Sequence, residues 1–114
     1  MNMKKNYPMS LTRIASSFGM SRDNILYFLD VEMGYVNGIR EITEKGSENG
    51  VSYSYCRLDE FEYDYSKRYV VYDEKVQKLI QDNKAHINSL DPEAVEKYAK
   101  NDRVIGLVKA GVMI

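Results

Sequence analysis

The run Leu-Thr-Arg-Ile-Ala-Ser-Ser-Phe-Gly-Met-Ser-Arg-Asp-Asn-Ile-Leu-Tyr-Phe at 11–28 constrains the fold more than any other part of the chain. Ile14, Ala15 and Phe18 fall on one side of a helix over about 11–18. Gly19 adopts a left-handed backbone at little steric cost and so ends that helix. Ser21 is an N-cap for a second helix over about 21–33, whose inward side is Ile25, Phe28 and Leu29. Ala15 supplies the small side chain that two helices need when they cross steeply over a short turn. The pattern is that of a helix-turn-helix, an element that reads nucleic acid.

Downstream, Gly34 stops the second helix. Tyr35-Val36-Asn37-Gly38-Ile39-Arg40-Glu41-Ile42 then sets an Asn-Gly pair between short apolar runs, which predicts a tight type I′ hairpin. A hairpin directly after a recognition helix is the wing of a winged helix. Thr43 caps a brief helical turn through Glu44-Lys45-Gly46, and Asn49-Gly50 offers a second tight turn. Val51 to Arg57 alternates tyrosines with serines at the period of a half-buried strand, and Tyr69-Val70-Val71-Tyr72 reads as another. Asp73 caps a helix to about Asn83 with Val76, Leu79 and Ile80 inward. Asp91-Pro92-Glu93 starts a last helix carrying Ala94, Val95, Tyr98 and Ala99. The tail from Val104 to Ile114 is apolar and packs on the core or on a second subunit. Residues 1–9, with Pro8, read as an extended arm.

These elements give an α+β chain forming one domain over 1–114. Residues 11–57 hold the helix-turn-helix and wing, and 58–114 hold a strand and additional C-terminal helices, read as a dimerisation part. At 114 residues the core is real but modest. No apolar run is long enough to cross a membrane or to serve as an export signal, and Cys56 stands alone, which fits a reducing cytoplasm.

The stretch Ile14-Ala15-Ser16-Ser17-Phe18-Gly19-Met20-Ser21, followed by Asn24, Leu26, Leu29 and a glycine-containing turn, resembles the winged helix-turn-helix at the C-terminus of phage antirepressors. Thr43-Glu44-Lys45-Gly46 is similar to a segment that follows the wing strand in many winged-helix regulators. The resemblance covers about residues 11–50. It implies gene control in a phage, prophage or other mobile element. Two departures stand out: ten residues precede the motif, too few for the usual first helix, and the chain has no tryptophan for the wing. A helix from the second half is expected to close the core.

Sixteen Lys and Arg against seventeen Asp and Glu leave a net charge of −1, a weak global attraction for a polyanion. Lys4, Lys5, Arg13 and Arg22 nevertheless gather around the motif. The expected function is a cytoplasmic transcriptional regulator that binds duplex DNA as a homodimer. Ser21, Arg22, Asn24 and Tyr27 would enter the major groove, with Arg22 and Tyr27 on the outward side of the second helix. Arg13, Asn37, Arg40, Lys4 and Lys5 would touch the backbone. The rival reading is a protein-interaction module, an inhibitor that grips a partner through the acidic, tyrosine-rich segment 59–65. The acids Asp59, Glu60, Glu62 and Asp64 argue against a single-strand stacking platform on the tyrosines. Nothing in the sequence points to catalysis, a metal or a cofactor: the one histidine, His86, has no cysteine or second histidine near it, and no phosphate loop or nucleophile elbow appears.

Overall fold

In a computed structural model, residues 8–57 and 62–109 are described. The chain is mixed α and β, as expected. A short strand β1 (Met9–Ser10) leads into α1 (Leu11–Phe18). Helix α2 (Arg22–Tyr27) continues through a wider π-helical turn over Phe28–Glu32. After a loop come α3 (Glu44–Glu48), β2 (Val51–Arg57) and β3 (Tyr63–Tyr72). Helices α4 (Glu74–Asp82), α5 (Lys84–Asn88) and α6 (Pro92–Lys109) complete it.

The caps expected at Ser21, Thr43 and Asp73 form, and Ser10 adds one beyond those expected. Ser10 Oγ accepts from Arg13 N, Ser21 Oγ from Asn24 N and Thr43 Oγ1 from Gly46 N, while Asp73 accepts from Val76 N. Each satisfies a backbone donor that the first helical turn leaves unpaired. Gly19 closes α1 at φ 64°, and its N–H donates to the Ala15 carbonyl. Gly34 follows α2 at φ 69°.

The sheet is antiparallel, in the order β1-β3-β2. Met9 and Val51 both pair with Tyr72, so the last residue of β3 lies between its two neighbours. The ladder between β2 and β3 shifts register between Tyr55 and Cys56, which pair with Arg68 and Asp64. Strand β3 is much longer than the expected 69–72, because cross-strand pairing carries it back into the charged stretch at Asp64 and Tyr63.

The core joins α1, α2, α4, α5 and the sheet through Ile14, Ile25, Leu29, Tyr72, Ile80 and Ile87, each fully buried. Ala15 is buried, as the close approach of α1 and α2 requires. Helix α6 packs across α2. The expected closing helix from the second half is present in this sense, although its buried residues Val95 and Ala99 lie outside the contiguous core cluster.

The expected Asn37-Gly38 hairpin is corrected. A single bridge joins Val36 to Ile42, and Asn37 N donates to Glu41 O at 2.8 Å, closing a five-residue loop. A type I′ turn needs positive φ at both central residues, and of this pair only Gly38 has it, at 79°. The physical reason lies in competing acceptors: Gly38 N donates to Asp30 Oδ2 at 2.8 Å and Ile39 N to Asp102 Oδ1 at 3.3 Å. The segment is clasped to the helices instead of projecting as a two-stranded ribbon. Lys4, Lys5, the acids at 59 and 60, and the tail from 110 to 114 lie outside the described residues.

Candidate nucleic-acid interface

Two sets of residues meet around the turn between α1 and α2. The first is open to solvent. With Ile14 and Ala15 turned inward, α1 exposes Thr12, Arg13, Ser16 and Ser17, and the turn adds Ser21 and Arg22. Arg22 Nη1 donates to Thr12 Oγ1 at 3.3 Å, tying the start of α2 to the start of α1. Lys84, brought in from α5, donates from Nζ to the Phe18 carbonyl at 3.0 Å. No local pattern marks this lysine, because it lies 66 positions from its partner in the chain. Residues 8–22 contain Arg13 and Arg22 and no Asp or Glu, and Lys84 adds a third cation beside them; Asp23, half-buried, follows Arg22 directly. Hydroxyls and guanidinium groups side by side are the donors that phosphate oxygens accept.

The second set faces α5 and α6. Asn24, expected at base edges, donates from Nδ2 to the Ile87 carbonyl at 2.9 Å and is half-buried. Tyr27, expected to point outward, is half-buried with its ring edge-on to Tyr98 at 5.6 Å. This corrects its placement: the side of α2 turned from the core is occupied by α6. Ser21 is exposed but spends its hydroxyl on the helix cap. Asn37 and Arg40 are exposed at the clasped loop.

Beneath α6 the geometry centres on Asp30. Its Oδ2 accepts from Gly38 N and from the Tyr98 hydroxyl. Burial, then the hydrogen bond to Asp30, then the charges of Asp30 and Asp102 raise the Tyr98 hydroxyl well above its ordinary value near 10. Burial and the Asp30 charge raise Tyr72 in the same direction. The Tyr72 side chain is fully buried and its hydroxyl finds no hydrogen-bond partner among the described residues. Neither Asp30, Tyr98 nor Asp102 carries a motif that would mark it in the sequence; they meet only because α6 folds back over α2.

His86 is exposed, with Nε2 at 2.7 Å from Glu32 Oε1 and its ring edge against Phe28. Cys56 is exposed near the end of β2. Among the described residues no group of three His, Cys, Asp or Glu could hold a metal ion, and no helix is long and apolar enough to cross a membrane. Comparison with protein-family models, with curated proteins and with solved structures finds no match.

Proposed function

We propose that the protein is a DNA-binding regulator of the winged helix-turn-helix kind, which engages the duplex through α1 and the start of α2. The cations and hydroxyls that α1 and the start of α2 expose, on a stretch of chain (8–22) without Asp or Glu, carry this reading. Arg13, Arg22 and Lys84 would meet phosphates, Ser16 and Ser17 would donate from α1, and the first turn of α2 would approach base edges. Lys4 and Lys5 would add to the backbone contacts. The long strands β2 and β3, rather than the loop at 37–41, would serve as the wing. A homodimer would place two such surfaces on one site, so that a chain of net charge −1 meets the duplex with two sets of cations. The resemblance to phage antirepressor domains supports a role in a mobile element.

The test is a titration of a labelled duplex at low salt, read by fluorescence anisotropy. Arg22→Ala and Arg13→Ala should each weaken binding about three- to tenfold, the loss expected for a phosphate contact. Unchanged affinity in both would overturn the assignment of the surface.

One observation favours the rival reading. Just before β3 Glu62 is exposed, and on the strand Tyr63 and Tyr69 keep 44% and 42% of their surface open. Tyrosines beside an acid suit a protein interface. Glu62→Lys separates the two readings: it should raise duplex affinity if DNA is the ligand and abolish capture of a basic protein partner if it is not.

A further inference from the structure

We infer that α6 is an intramolecular cover, which competes with duplex DNA for the outward side of α2. The inference rests on the DNA-binding reading above. Both elements that the sequence assigns to DNA are held by α6. The ring of Tyr98 sits edge-on to Tyr27 at 5.6 Å and its hydroxyl donates to Asp30. One helical turn further on, Asp102 Oδ1 accepts from Ile39 N at 3.3 Å. A recognition helix meets base edges with the residues of its first turns, and Tyr27 lies at that distance along α2. A duplex and the Tyr98 ring cannot occupy the same place.

The attachment has the features of a seat rather than of a structural core. Gly38 fits it: a Cβ there would lie 2.2 Å from Asp102 Oδ1. Among the described residues the contiguous core includes no buried residue of α6, and Tyr98 is packed against its rim. The core residues of α1, α2, α4 and α5 therefore keep their mutual contacts when α6 lifts. The turn at Ser89–Asp91 between α5 and α6 provides the pivot. Among the described residues, docking joins the burial of Val95 and Ala99 to hydrogen bonds on one carboxylate from each side, Asp30 from α2 and Asp102 from α6, which are directional enough to re-form. If the undocked form is the binding-competent one, apparent affinity is reduced by the fraction of chains in that form.

The experiment uses the full chain carrying Tyr98→Phe with Asp102→Asn, compared with wild type and with Glu96→Gln. Glu96 is exposed on the same helix and, among the described residues, pairs along it with Lys100, so its variant removes the same negative charge without touching the loop. Two readouts are taken: hydrogen exchange at the Gly38 and Ile39 amides without DNA, and duplex affinity at low salt. The double variant should exchange faster at both amides and bind about three- to tenfold more tightly, while Glu96→Gln matches wild type in both. Faster exchange with unchanged or weaker duplex binding overturns the cover. If the double variant is unfolded, Tyr98→Phe alone, which leaves the charge unaltered, is read by the same criteria. Wild-type binding that Arg22→Ala lowers but α6 release does not raise removes this inference and keeps the DNA reading. No duplex binding by any of the proteins removes both.

Discussion

At the scale of single residues, two tyrosines govern how the protein responds to base. Tyr72 and Tyr98 both bind their protons more tightly when folded than the ordinary value near 10, chiefly because burial disfavours the phenolate and the Asp30 carboxylate repels it. A folded-state pKa raised above the unfolded one contributes fully below the unfolded value, and the contribution is lost as pH climbs through the folded one. The urea midpoint should therefore be flat from pH 8 to about 10 and fall steadily above it, with Tyr98→Phe and Tyr72→Phe each flattening the decline. Near pH 7, Tyr72→Phe should leave the melting temperature unchanged or raise it, since the hydroxyl it removes is buried without a partner. A fall of several degrees would show that the hydroxyl is satisfied. Ile14 stands at the opposite extreme. It is fully buried on α1, and Ile14→Ala should cost about 3 kcal/mol by chemical denaturation, the usual loss for deleting a buried branched side chain.

At the scale of elements, the local signals and the local structures agree closely. Helices α1, α3 and α4 start where Ser10, Thr43 and Asp73 cap them, and α2 starts after Ser21. Capping was legible because it depends on a side chain three residues from the amide it serves. Asp73→Ala should accordingly cost about 1 kcal/mol and raise the exchange rate of the Val76 amide before that of the sheet. Equal protection of Val76 in the variant would show that the cap adds nothing. The Asn37-Gly38 signal misled for the complementary reason. Its hairpin preference is a matter of a few tenths to one kcal/mol, and two carboxylates from α2 and α6 offered its amides stronger acceptors. The extent of β3 was underread because charged residues at 62–64 break the apolar alternation, while main-chain pairing with β2 is indifferent to side-chain polarity.

At the scale of the whole molecule, a chain of net −1 still brings cations from separate elements to one turn. Arg13, Arg22 and Lys84 contribute three cations to it. If each meets a phosphate, the logarithm of the duplex association constant should fall against the logarithm of salt concentration with a slope of about −3 per chain. Lys4 and Lys5 would steepen that slope toward about −4 to −5. A slope near zero, measured between low and moderate salt, would mean that the cations do not touch the backbone. Doubling of the slope with a concentration-dependent step would mark a dimer on the site.

By itself the sequence determined the helix pair at 11–32, its turn at Gly19, the caps, the strand at 51–57 and most of the buried positions. These depend on spacing within a few residues, where the helical and extended periods leave an imprint on residue order. It also brought Arg13 and Arg22 to the same turn, since both flank it in the chain. Only the tertiary structure decided what lies against that turn. Asn24 turned toward Ile87, Tyr27 met Tyr98, and the loop at 37–41 was clasped by Asp30 and Asp102. Those partners lie up to 71 residues apart in the chain. Contacts at such range are chosen by which surfaces remain unburied once the local elements have formed, and no short pattern of residues encodes that choice.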